Sequence, residues 1–251
     1  MFSVCLLFLC VWFSTPGFSG TITLAVAANF YDTARQLAVG FEKSSSHKLR
    51  LVKGSTGALH HQITQGAPYD VFLAADRRHI KSLGDMGFLD DAARFVYAEG
   101  QLALACKRGR MPDFGEFKLH QNERLAMAKP EQAPYGLAAQ QTLVSLGLWP
   151  VAKSQLLLAQ NVGQALQFFR GLSQGCGFIA FSQLKQWRRT VGTTPNYVVI
   201  PEEYYGGLPH EAAVTRYGSK WKGPYEFMSY LKSSGAQAVV ESFGYRRGCC
   251  D

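Results

Sequence analysis

The chain has 251 residues, 47% of them hydrophobic and 18% charged, and 26 Lys+Arg against 18 Asp+Glu give a net charge of +8. The basic residues are scattered, with only short clusters at Arg77-Arg78, Arg188-Arg189 and Arg246-Arg247. No basic–aromatic stripe is present, which excludes the usual nucleic-acid-binding pattern, while the positive excess favours encounter with anions.

Met1 to Gly20 carry no charged side chain, and Val4 to Phe13 form one apolar run. That run is shorter than the ~20 residues a membrane-spanning helix needs. Small residues follow it, with Gly17 and Ser19 in the −3/−1 pattern, so residues 1–20 read as a signal peptide cleaved near Ser19 or Gly20. The usual lysine or arginine of such a segment is missing, and an uncleaved anchor is the competing reading. Leu9 before Cys10 disfavours a lipoprotein. About 230 residues remain, enough for one large domain or two lobes.

From there short apolar runs alternate with helical patterns. Ile22–Ala27 is a continuous apolar run, followed by Tyr31, Ala34, Leu37, Ala38 and Phe41 at helical spacing. Leu49–Val52 reads as the next strand, and Gly54-Ser55-Thr56-Gly57 opens a helix through Gln65. Asp70–Ala74 is a third strand, before a helix from Arg77 to Met86. Further strands are expected at Leu102–Cys106, Leu125–Ala128, Gln155–Leu158, Gly177–Phe181, Tyr197–Ile200 and Ala212–Thr215. Two helices fill Trp221 to Ser242. Buried runs separated by helices predict an α/β protein with mostly parallel sheets covered on both faces. Two such sheets, with crossings near Gly100 and Glu203, place residues 21–100 plus 204–251 in one lobe and 101–203 in the other.

Of the six cysteines, Cys5 and Cys10 lie in the leader and Cys249-Cys250 in the tail. Cys106 and Cys176 sit within apolar strand-like runs and read as separate core residues, with a mutual disulfide as the alternative in an oxidising compartment. No zinc-type spacing exists. His60-His61 are adjacent, so they point apart on a helix and suit one metal poorly. Asp70 and Asp76 flank the third strand, the first starting it and the second capping the helix beyond.

Three loops lie between a strand and the next helix: Ala27-Ala28-Asn29-Phe30, Gly54-Ser55-Thr56-Gly57 and Ala133-Pro134-Tyr135-Gly136. In open α/β sheets ligands bind at the carboxyl ends of strands. Each helix start there offers free N–H groups and roughly half a positive charge. Asn29 and Ser55 add neutral side-chain donors, so an anion site needs no lysine or arginine. Simple N-capping is the plain alternative for each loop alone. A donor-only pocket favours a fully deprotonated tetrahedral dianion, since the unpaired proton of hydrogenphosphate costs ~1–3 kcal/mol there. Sulfate passes that test and is left to size.

Through these motifs the chain resembles the periplasmic molybdate-binding proteins of ABC transporters, in the branch whose first loop reads AANF. The resemblance runs from Ile22 to about Tyr245. It is carried by LAVAANF (24–30), GSTGAL (54–59), QITQGAPYDVFLAAD (62–76), APYG (133–136), QNV (160–162), GFIAFSQ (177–183) and FGY (243–245). It implies a type II two-lobed binding fold with the ligand in the cleft, and molybdate or tungstate held through its oxygens without direct metal ligands. Asn29 and Ser55 of one lobe and the backbone amides of Tyr135 and Val162 of the other would hold the anion, with Ala28 close by. The resemblance further implies a monomer without cofactor or enzyme activity, located in the periplasm and delivering to an inner-membrane permease. Some relatives place a tyrosine ligand in the GFIAF strand, where this chain has Ala180. Lys53 is an unexpected cation beside a neutral pocket, and the Arg246–Asp251 tail lies outside the pattern.

Two other classes are weighed. The Tyr204-Tyr205 pair resembles the tyrosine ligands of ferric-ion-binding relatives, and sulfate or phosphate carriers share the fold. Ser182 and Lys185 match the SxxK spacing of penicillin-recognising serine enzymes, but the SDN and KTG elements are absent.

Overall fold

The computed structural model describes residues 19–107, 117–118, 120 and 123–248. The expected leader, with Cys5 and Cys10, falls on residues 1–18 and lies outside the described residues, as do Cys249 and Cys250.

The apolar run after the leader becomes β1 (Thr21–Ala27), buried from Ile22 onward. Helix α1 (Tyr31–Ser44) turns Ala34, Leu37 and Phe41 inward at helical spacing. Next come β2 (Lys48–Gly54), α2 (Thr56–Thr64), β3 (Val71–Leu73) and α3 (Arg77–Asp85), then β4 (Leu89–Gly100). The chain continues through β5 (Leu102–Cys106), β6 (Arg124–Ala128), α4 (Pro134–Ser145), α5 (Trp149–Ala152), β7 (Leu156–Ala159) and α6 (Val162–Gly171). It then forms β8 (Gly175–Ala180), α7 (Phe181–Val191) and β9 (Asn196–Val199). The last elements are β10 (Leu208–Thr215), α8 (Gly223–Lys232), α9 (Ser234–Ser242) and the short β11 (Arg246–Arg247).

Two sheets result, ordered β11-β4-β10-β3-β1-β2 and β7-β6-β8-β5-β9. In the first, Leu24, Leu37, Phe41, Phe227, Leu231 and Val240 close one core between the sheet and helices α1, α8 and α9. The opposite face packs Phe72, Ile80 and Leu83 under α2 and α3. The second sheet is likewise covered on both faces, by α4 and α5 on one and α6 and α7 on the other. Removing both faces of a sheet from water is what allows its strands to read as unbroken apolar runs.

The sheets are mixed rather than mostly parallel. Parallel pairing holds where a helix links the strands, as for β1 with β2 and β3 and for β6 with β7 and β8. Strand β10 runs antiparallel to β3 and β4, and β5 antiparallel to β8 and β9. These are the strands through which the chain changes sheets, so they enter against the local direction. A strand buried on both faces has the same composition whichever way it runs.

The passages between the sheets lie side by side, since Gly100 at the end of β4 pairs with Leu208 at the start of β10. Gly206 and Gly207 precede Leu208 with φ of 76° and 85°, a left-handed pair that side-chain-bearing residues resist. On the second sheet the register sets Cys106 directly opposite Cys176, and the two form a disulfide across 70 residues of sequence. The reading of two separate core cysteines therefore gives way to the paired alternative.

Candidate functional site

Four chain segments end at one place between the sheets. Ala27 ends β1 and residues 28–29 follow it, Ser55 and Thr56 open α2, Ala133 to Tyr135 open α4, and Asn161 and Val162 open α6. Together with Ala75 they line a small cavity. No lining residue is charged. All five residues expected from the sequence — Ala28, Asn29, Ser55, Tyr135 and Val162 — are on its wall.

Sequence reasoning passed over Thr56 and Asn161 as wall residues, although both stand in motifs it singled out. Asn161 caps α6, its Oδ1 accepting from Gln164 N–H at 3.0 Å. Thr56 Oγ1 accepts from Ala75 N–H at 3.1 Å, tying the α2 start to the end of β3.

The donor inventory decides what the cavity can do. Buried N–H groups are nearly always paired. Among the described residues, none accepts from the backbone N–H of Asn29, Ser55, Tyr135 or Val162. The N–H of Ala28 is different: it donates to Gly54 O at 2.8 Å, so Ala28 supplies wall and no donor. Ser55 Oγ accepts from Ala58 N–H at 3.2 Å as the cap of α2, which uses a lone pair and leaves the hydroxyl hydrogen to donate. Three helix N-termini add their positive ends to these donors.

Asn29 departs from expectation. Its Nδ2 lies 2.6 Å from His210 Nε2 and donates to Tyr245 Oη at 3.1 Å, while Tyr245 Oη donates to Asn29 O at 2.8 Å. Both amide hydrogens are thereby engaged inside the protein, and the group Asn29 has left for a ligand is its backbone N–H. A lone histidine in LPHEAAV gave no sequence signal for this arrangement. His210 is fully buried, which pushes its pKa down to about 4 against the opposing bond to Leu208 O. Tyr135 packs its ring 5.9 Å from that of His210, and burial, reinforced by the Tyr245 and Tyr205 hydroxyls, holds its phenol far above the usual range.

The two sheets touch beside the cavity, where Gly57 N–H donates to Gln132 O at 3.0 Å. Lys53 stands exposed beside the start of α6. Its Nζ lies 5.1 Å from the Tyr31 ring centroid, and a methyl placed on Gly163 would come within 3.6 Å of it.

The remaining candidates lie elsewhere. Tyr205 is buried under the returning passage, its hydroxyl accepting from Leu102 N–H at 3.4 Å, and neither Tyr204 nor Tyr205 lines the cavity. Ser182 is buried in the first turn of α7, while Lys185 Nζ turns over the Phe181 ring at 5.8 Å. His60 contacts Ser82 Oγ at 3.1 Å, and no cluster fit for a metal ion occurs among the described residues. Asp70 receives Thr23 N–H at 2.7 Å and Trp221 Nε1–H at 2.9 Å, and Asp76 caps α3 and pairs with His79. Ala180 ends β8, buried and away from the cavity wall.

Residues 22–246 match the model of the bacterial extracellular solute-binding protein family. The chain belongs to that family. As a solute-binding protein of the extracytoplasmic kind it is a carrier rather than an enzyme, and its site is a cleft between two lobes. It is 36% identical to the molybdate-binding protein ModA of Azotobacter vinelandii over 227 residues, 89% of each chain. It is 28% identical to that of Rhodobacter capsulatus over 237 residues, 92% of this chain and 90% of the relative. The solved structure of the Azotobacter vinelandii periplasmic molybdate-binding protein superposes with a TM-score of 0.82 at 32% identity, covering 89% of this binding protein and 98% of that chain.

Proposed function

We propose that this solute-binding protein captures molybdate, or the near-isosteric tungstate, between its lobes and delivers it to the permease of an ABC importer. The observation that carries the reading is the set of unpaired N–H groups of Asn29, Ser55, Tyr135 and Val162, with the Ser55 hydroxyl, around a cavity without a charged wall residue. Such a cavity rewards a ligand that accepts hydrogen bonds on every side and donates none. The names of the relatives supply the anion of that description. Secretion through residues 1–20, a monomeric carrier, and lobes of residues 21–100 plus 204–251 and 101–203 belong to the same proposal. The Cys106–Cys176 disulfide supports it, because such bonds persist in oxidising compartments.

Calorimetric titration of the chain from Thr21 onward with molybdate, tungstate, sulfate and phosphate tests it. One-to-one binding of the first two, with sulfate and phosphate silent, is the expected result. Binding of sulfate or phosphate alone overturns the ligand while keeping the carrier. Silence from all four overturns the site.

A further inference from the structure

The site leaves one group of residues without a role: His210 and Tyr245, buried behind the cavity and wrapped around Asn29. The hydrogen positions of this knot follow from chemistry. His210 Nδ1 lies 2.7 Å from Leu208 O, which only accepts, so Nδ1 carries the proton. A neutral imidazole with its proton there presents a bare Nε2. The atom 2.6 Å from that nitrogen must therefore be a donor, which fixes the Asn29 side chain with Nδ2 toward His210. The second Nδ2 hydrogen goes to Tyr245 Oη, and the Tyr245 hydrogen returns to Asn29 O. Three bonds thus hold one asparagine by its side chain and its main chain together.

The clamp has no slack. Phe30 packs its ring 4.7 Å from Tyr97 and 5.2 Å from Tyr245, and the rings of His210 and Tyr245 are 5.5 Å apart. A side chain at Gly100 would collide with both His210 and the Tyr135 hydroxyl, so the knot also sits against the passage between the lobes. Asn29, Phe30, His210 and Tyr245 are all buried. The Asn29 N–H lies in the peptide plane shared with Ala28, and the bonds at Asn29 Nδ2 and Asn29 O, with the ring neighbours, hold the Asn29 Cα to which that plane is joined.

We propose that His210 and Tyr245 are positioning residues for the oxyanion, acting through Asn29 to aim its backbone N–H at the cavity. This rests on the oxyanion reading of the site. The experiment has a ligand-free arm and a ligand arm. In ¹⁵N-labelled protein without anion, His210 is expected as the Nδ1–H tautomer at neutral pH, with slowly exchanging Asn29 side-chain amide protons. An Nε2–H tautomer or fast exchange overturns the proposal whatever the protein binds. In the ligand arm, Tyr245→Phe and His210→Leu are expected to weaken molybdate binding about fivefold to tenfold. His210→Gln, whose amide oxygen accepts from Asn29 Nδ2, is expected to recover most of the loss. Unchanged affinity in folded Tyr245→Phe, or equal affinity in the Gln and Leu variants, overturns it. Absence of molybdate binding by the wild type would instead refute the oxyanion reading, and the tautomer result would stand apart from it.

Discussion

At Ser55 a single oxygen has two tasks, accepting from Ala58 N–H while keeping its own hydrogen for the cavity. Ser55→Ala is expected to cost about 1 kcal/mol of stability through the lost cap and to weaken anion binding severalfold. Thermal unfolding and calorimetry on the same sample separate the two effects. Asn29→Ala behaves differently, because it strands His210 Nε2 in the interior and removes the donor to Tyr245 Oη, which keeps its bond to the main-chain O. Its main effect is a stability loss of about 1–3 kcal/mol, read by urea unfolding without ligand. The sequence reading gave Asn29 a side-chain donor for the ligand, and the internal bonds of that side chain were not legible because its partners lie 181 and 216 residues away in the chain. His210 also sets an acid limit. Its folded pKa of about 4 lies below the unfolded value of 6.5, so the unfolded chain binds the extra proton first. Stability is therefore expected to fall as pH drops from about 6.5 toward 4, by on the order of 3 kcal/mol. His210→Gln should flatten that window in urea titrations at stepped pH. A slope identical to wild type would show that other groups carry it.

Helix starts were the most legible elements, because each combines a strand end, a small or polar cap and an apolar helical period. Ser55 and Asp76 cap where the pattern placed them, whereas Asn161 caps a helix that the pattern did not mark. Strand β4 was not legible. Its first half, Asp90-Asp91-Ala92-Ala93-Arg94, has neither alternation nor an apolar run, and it is a strand only because β10 lies alongside. Strand direction was equally hidden, as the antiparallel β5 and β10 show. The start of α2 also carries a close approach of the lobes, where a methyl on Gly57 would lie 2.8 Å from Gln132 O. Gly57→Val should prop the cleft open, weakening anion binding at least tenfold while ligand-free thermal unfolding stays near wild type. Small-angle scattering with and without anion checks it; a normal ligand-induced compaction in the variant would contradict the contact.

For the molecule as a whole, the disulfide closes a loop of 70 residues within the second sheet. Chain-entropy arguments give such a link about 4 kcal/mol, so Cys106→Ala/Cys176→Ala should unfold at markedly lower urea, and reductant should bring the wild type to the same midpoint. One exposed cation reaches further. Lys53 extends from the first lobe toward the start of α6 on the second, and both ends of that gap are positive. An empty closed cleft thus brings like charges together, and a dianion between them reverses the sign of the interaction. Lys53→Gln is expected to slow anion association and flatten its dependence on ionic strength, with dissociation changed less, as stopped-flow traces at several salt concentrations would report. Self-repulsion in the unloaded carrier would hold its jaws ajar, and the cargo would act as the missing counter-ion. A membrane partner could then tell a full carrier from a vacant one by shape alone, without touching the anion.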